Sequence, residues 1–168
     1  LNMLATGGEY HSDPRERYAG GLTPEQAERG KRLLQMISAV QFTLPGVPCV
    51  YYGDEAGVDG GVDPFNRGCY PWGNEDEELI AHYKFLGRLR KEHPVFKEGE
   101  FVPVSAALGC VAFERRGEGE RIMTVANRNE HPIVYVLPEK GWSSLTEERI
   151  GGRELYLGAE STAILIFR

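Results

Sequence analysis

The chain has 168 residues, 41% of them hydrophobic and 26% charged, and a formal net charge of −6. This is an ordinary globular composition, long enough to bury a core in one or two domains. The acidic balance and the lack of basic runs interleaved with aromatics argue against nucleic acid as a partner, and no apolar stretch approaches the roughly 20 residues needed to span a bilayer.

The first residues, Leu1-Asn2-Met3-Leu4, lack the basic-then-apolar pattern of a signal peptide, and the chain reads as a piece of something longer. Leu1 to Ala5 is apolar and reads as the end of a strand. Gly8 to Leu22, with Asp13-Pro14 and Gly20-Gly21, predicts an irregular loop. Thr23-Pro24-Glu25-Gln26 then predicts a helix start, with Thr23 as N-cap, Pro24 in the first turn and Gln26 completing a capping box. Leu33, Leu34, Ile37, Val40 and Leu44 form one apolar stripe, which is expected to lie against a sheet, while Arg29, Lys31 and Arg32 face water.

Pro45-Gly46 stops that helix. Val47 to Tyr52 is a short apolar run without the alternation of a half-wet strand, so it predicts a strand buried on both faces, as in a helix-covered parallel sheet. Within it Cys49 reads as a small buried hydrophobe. Cys49, Cys69 and Cys110 match neither a disulfide framework nor a zinc site, which favours a reducing, cytoplasmic compartment; a signal peptide further upstream would instead make the protein extracellular.

Asn74-Glu75-Asp76-Glu77-Glu78 predicts a second helix with acidic residues at its positive end. Leu79, Tyr83, Leu86 and Leu89 or Arg90 trace one face, and Pro94 ends it. From Val95 the pattern changes to short β-branched or aromatic runs at 101–104, 110–113, 122–126, 133–137, 154–157 and 163–167, separated by turn residues. These predict a small antiparallel sandwich, with a domain boundary near Pro94.

Pro-Gly-Val-Pro-Cys-Val-Tyr-Tyr-Gly-Asp-Glu-Ala-Gly at 45–57, followed by Asp63-Pro64-Phe65-Asn66-Arg67 and Tyr70-Pro71-Trp72, resembles the eighth barrel strand and following loop of the α-amylase family of glycoside hydrolases. Within that family it is most similar to the neopullulanase, cyclomaltodextrinase and pullulanase types. The resemblance implies an α+β fragment: residues 1–94 as the last α/β units of a (β/α)8 TIM barrel, and 95–168 as the antiparallel β-sandwich domain that follows. It implies a retaining hydrolase acting on α-glucosidic bonds of α-glucans such as maltodextrin, cyclodextrin or pullulan. The nucleophilic Asp and acid Glu would lie on earlier strands, outside this chain. Where the family has a His-Asp pair after its seventh strand, this chain has Gly7-Gly8, so the third catalytic carboxylate has no counterpart, and a segment missing after Thr6 is the expectation.

No catalytic residue is therefore assigned here. Asp63 and Arg67 are the expected substrate-binding pair, because a carboxylate and a guanidinium together fix the hydroxyls of a sugar ring; a salt bridge bracing the loop is compatible with that role. Trp72 either lines the cleft against a sugar face or seals the loop. Tyr51, Tyr52 and Tyr70 have the same chemistry, with core packing the better reading for at least one tyrosine of the run. Asp54 and Glu55 are adjacent and diverge on leaving a strand, so they read as partners of loop amides rather than as an acid/base pair. Asp59 and Asp63 do not have calcium-loop spacing. His11, His82, His93 and His131 read as surface or capping residues.

No metal or cofactor is expected. The expected partners are an α-glucan, the missing N-terminal part of the same enzyme and, through exposed strand edges, further copies in a homo-oligomer. The alternative is a non-catalytic carbohydrate-binding or structural β-sandwich module. The chain alone is expected to be inactive.

Overall fold

In a computed structural model that describes residues 2–6, 22–60 and 67–167, the apolar N-terminal stretch is a short helix, α1 (Asn2–Thr6), and not the expected strand end. A strand needs a neighbour for its N–H and C=O groups, whereas a helix bonds its own. The loop expected at Gly8 to Leu22 lies, up to position 21, outside the described residues.

The capping box forms as expected. The Thr23 amide donates to Gln26 Oε1 at 2.9 Å and the Gln26 amide to Thr23 Oγ1 at 3.2 Å, opening α2 (Pro24–Thr43). Its buried face differs from the predicted stripe. Leu34, Met36, Ser38, Ala39, Phe42 and Thr43 are buried, whereas Ile37 is 45% exposed and Leu33, Val40 and Leu44 are only partly covered. Small residues allow close approach on the buried face, and the Thr43 hydroxyl satisfies itself by donating to the Ala39 and Val40 carbonyls at 2.9 and 3.0 Å.

The run from Val47 to Tyr52 is not a strand. It has no ladder partner among the described residues; Val47 is 94% exposed, and Val50, Tyr51, Tyr52 and Cys49 are exposed with it. The parallel-sheet expectation and the buried Cys49 both fail here. An apolar run becomes a buried strand only where neighbouring strands are supplied, and the described residues supply none.

A 3-10 turn (Asp54–Ala56) follows, then α3 (Glu77–Glu92), whose start is fixed by Asp76 Oδ1 accepting from the Leu79 amide at 3.0 Å. Leu79, Leu86 and Leu89 are buried on it, while Tyr83 is only half-buried. The first strand begins at Glu100, close to the expected run 101–104. A further helical turn, α4 (Val95–Glu98), intervenes and buries Val95 and Phe96.

The chain divides into two compact units, residues 1–35 with 49–85, and residues 36–48 with 86–168. In the second, eight strands follow: β1 (Glu100–Ala107), β2 (Cys110–Gly117), β3 (Glu120–Asn127), β4 (Ile133–Val136), β5 (Trp142–Ser144), β6 (Ile150–Gly151), β7 (Glu154–Leu157) and β8 (Ser161–Phe167). They form a five-stranded sheet ordered β1-β2-β3-β8-β5 and a three-stranded sheet ordered β4-β7-β6, antiparallel throughout. Every one of the six predicted runs is a strand, and β5 and β6 are additions too short to show a pattern.

The sandwich core joins Ala112, Met123, Val125, Ala163 and Leu165 of the larger sheet to Leu155 and Leu157 of the smaller, with Leu137 and Trp142 beside them. The larger sheet is covered on its other face too. Thr162 Oγ1 donates to the Met36 carbonyl at 3.1 Å, and the buried Arg115 reaches Thr43 O at 3.3 Å, Phe96 O at 3.1 Å and Gly99 O at 2.8 Å. Arg90 likewise donates to Phe42 O at 2.5 Å and Gly46 O at 2.7 Å, so a guanidinium sits at the negative end of α2. Burial without a carboxylate lowers the pKa of Arg115, with the nearby Arg90 charge adding to the effect.

Candidate functional site

The loop from Tyr51 to Asp76, in the first unit, carries every residue expected to touch substrate. It is organised by its glycines. Gly53 at φ 89° and Gly57 at φ 75° bracket the 3-10 turn in backbone conformations that a side chain disfavours. A Cβ on Gly53 would meet Val58 at 2.7 Å, and one on Gly57 would meet Asp76 at 2.9 Å.

Glu55 folds back within this turn, accepting from the Gly53 amide at 2.9 Å, so it serves the loop backbone as expected. Asp54 is half-buried, and burial followed by the neighbouring charge of Glu55 pushes its carboxyl pKa up. The two carboxylates are consecutive in one turn.

The turn is tied to the start of α3. The Asp76 amide donates to Ala56 O at 3.0 Å, and the Asp76 carboxylate meets Lys31 Nζ at 2.8 Å. Lys31 also reaches Glu78 at 3.2 Å, and Gln35 donates to Glu78 at 3.0 Å. Burial alone would raise the Asp76 pKa, but hydrogen bonds from Lys31 and from the Leu79 amide hold it below the usual carboxylate range. The same hydrogen bond to Asp76 raises the Lys31 pKa. Lys31 was expected to face water; the legible signal for its role is the excess of negative charge at 75–78, which no residue of its own segment balances.

Among the described residues of this loop, four aromatic rings stand in two pairs. Tyr51 and Tyr52 lie 5.1 Å apart between centroids, and the Tyr52 hydroxyl donates to Gly68 O at 3.1 Å. Tyr70 and Trp72 lie 4.5 Å apart, tilted by 47°, with Trp72 81% exposed. Neither tyrosine of the run is packed in a core, contrary to expectation. A large exposed indole beside a phenol ring is the kind of surface on which a sugar face stacks.

Of the expected substrate-binding residues, Arg67 and Trp72 are both exposed on the loop. Asp63 lies outside the described residues, as does the acidic spacing that it makes with Asp59. Among the described residues no group of three metal-ligating side chains comes together, and no helix is long and apolar enough to cross a membrane. His82 is partly buried, which lowers its pKa, and His93 Nδ1 lies 2.6 Å from Glu120 Oε1 in the second unit.

No protein-family model matches the chain. It is similar to a cyclomaltodextrinase from a Bacillus species, 37% identical over 109 residues that make up 62% of this chain and 20% of that enzyme. It is also similar to an amylopullulanase from Thermoanaerobacter thermohydrosulfuricus, 42% identical over 83 residues, which are 49% of this chain and 6% of the relative. A solved cyclomaltodextrinase structure superposes on 86% of this chain and 27% of its own, with a TM-score of 0.72 and 29% identity. The chain thus spans about a fifth of the length of the first of these relatives.

Proposed function

We propose, starting from a chain that carries the C-terminal portion of an α-amylase family glycoside hydrolase, that it forms the last wall of a sugar-binding cleft and the β-domain behind it. Residues 1–94 would belong to the (β/α)8 barrel and residues 95–168 to the sandwich domain. The whole enzyme would hydrolyse α-glucosidic bonds of maltodextrin, cyclodextrin or pullulan with retention of configuration. An Asp on an earlier strand attacks the anomeric carbon, a Glu protonates the leaving oxygen, and water releases the glycosyl group. This chain contributes binding and no bond-breaking carboxylate: Asp63 and Arg67 hold ring hydroxyls and Trp72 stacks on a sugar face. Exposed cysteines that form no disulfide, Cys49 and Cys69, suit a reducing, cytoplasmic compartment.

The observation that carries this reading is the exposed run 47–52. It has the composition of a strand covered on both faces and has no ladder partner among the described residues, as a barrel strand separated from its barrel would. The test is to express the polypeptide encoded by the complete reading frame and follow release of maltose from cyclodextrin and maltotriose. Turnover is expected, with none from the 168-residue chain alone. Trp72→Ala should lower kcat/KM of the longer protein about tenfold by removing the stacking surface, while leaving the stability of the 168-residue chain unchanged. Sugar binding without turnover by the longer protein would overturn the hydrolase in favour of a binding module, and turnover by the 168-residue chain would overturn the placing of the carboxylates.

A further inference from the structure

Asp76 makes three different contacts within the first unit. Its amide donates to Ala56 O at 3.0 Å, its Oδ1 accepts from the Leu79 amide at 3.0 Å, and its Oδ2 lies 2.8 Å from Lys31 Nζ. The first bond closes the loop that leaves at Gly57 and returns at Asp76, the second starts α3, and the third ties both to the N-terminal half of α2. There is little slack, because Ala56 and Leu79 are buried and a Cβ on Gly57 would meet Asp76 Cβ at 2.9 Å and Leu79 Cδ1 at 3.4 Å.

A helix start needs only the second of these contacts, and Asn would serve it as well as Asp. The carboxylate charge is what suits Lys31. The two side chains are 16% and 25% exposed, so their attraction is less screened than that of an open surface pair, and Glu78 at 3.2 Å further steadies the ammonium.

The aromatic pair stands on this anchor. Trp72 lies four residues before Asp76, in a turn closed by the Asn74 amide donating to Pro71 O at 2.8 Å, with Gly73 at φ 80°. The Trp72 amide also donates to Tyr70 O at 3.0 Å, which holds the two rings side by side. An indole that is 81% exposed has little packing of its own, so the backbone that carries it sets its place.

We infer that Lys31 and Asp76 are a positioning pair for glucan binding: together they hold the turn at 70–74 so that Trp72 meets a sugar ring in one fixed place. Neither residue touches the sugar. The inference rests on the reading of Trp72 as a stacking surface for an α-glucan.

The test uses the polypeptide of the complete reading frame with maltotriose, well below the Tm of each variant. Lys31→Met removes the charge and keeps a long side chain, and Asp76→Asn keeps the cap. Each should raise KM about fivefold and leave kcat within about twofold, since a misplaced stacking surface weakens binding and not the bond-breaking step. Lys31→Arg still pairs with a carboxylate and should bring KM back to within about twofold of the wild type. In a Trp72→Ala background Lys31→Met should add nothing, because the ring that it positions is gone.

A KM effect of Lys31→Met that persists in full after Trp72→Ala would overturn the inference, as would a lowered Tm with KM unchanged, or a Lys31→Arg variant as impaired as Lys31→Met. If the longer protein binds maltotriose without turnover, Kd from calorimetry takes the place of KM in each comparison. The underlying reading is scored by Trp72→Ala alone. A normal kcat/KM in that variant removes the stacking surface and the pair's role with it, whereas a lowered value beside an unaffected Lys31→Met refutes only the positioning pair.

Discussion

Residues 47–52 and 161–167 are both nearly unbroken apolar stretches, yet Val47 is 94% exposed while Ala163, Ile164 and Leu165 are fully buried. The later stretch, β8, lies between β3 and β5, has the smaller sheet on one face and residues of α2 on the other, and so finds a neighbour in every direction. The earlier run has the composition for the same fate and no ladder partner among the described residues. Composition states which faces a strand can bury; the strands and helices that the rest of the chain supplies decide whether it buries them.

The largest expected effect comes from the completed strand. Leu165→Ala should destabilise the 168-residue chain by about 3 kcal/mol, the transfer and cavity cost of an aliphatic side chain in a packed core, as read from urea denaturation. A loss below about 1 kcal/mol would mean that β8 is no better packed than the orphan run.

A smaller effect belongs to the loop that the run leads into. The folded pKa of Asp76 lies below its unfolded value, so its charge contributes stability in full above the ordinary carboxylate pKa, and that contribution is lost as pH falls through the depressed folded value. Asp76→Asn keeps a cap acceptor and removes the ion pair with Lys31. The wild-type chain should therefore exceed the variant by about 1 kcal/mol at neutral pH, and the two curves should converge in acid. A difference that persists below the depressed folded pKa, where the carboxylate is protonated in both states, would show that the cap and not the charge holds the loop.

Smallest of all is the effect at the orphan run. Val47→Ser should change the stability of the 168-residue chain by less than about 0.5 kcal/mol, as at any open surface site. In the polypeptide of the complete reading frame it should cost more, and equal costs in the two proteins would remove the grounds for calling the run a barrel strand.

Much of this was legible where the signal is local. Thr23 and Gln26 announce a helix start because each side chain reaches a backbone group three residues away, and no distant contact is needed. The six runs after Phe101 announce strands because turn residues separate them at short intervals. The face of α2 was not legible in the same way. Leu33, Ile37, Val40 and Leu44 are more apolar than Ser38, Ala39 and Thr43, but the smaller residues permit the closest approach and are the ones buried. Arg115 was equally hidden: in β2 it reads as an exposed charge, and it is buried because the larger sheet is covered on its second face, where carbonyls at the ends of α2 and α4 await donors.

At the candidate site the residue types were legible and their setting was not. Arg67, Trp72 and the tyrosines were singled out by chemistry alone, whereas the role of Lys31 depends on Asp76 and Glu78, more than forty positions away.

By itself the sequence determined the helix caps, the turns, the strand periodicity of the β-domain and the residue types that the loop carries, since each is set within a few bonds of the residues concerned. Only the tertiary structure decided which apolar surfaces are closed and which stand open at Val47, Ile37 and Leu108. Burial is a property of pairs of surfaces, and the second member of a pair lies far along the chain from the first.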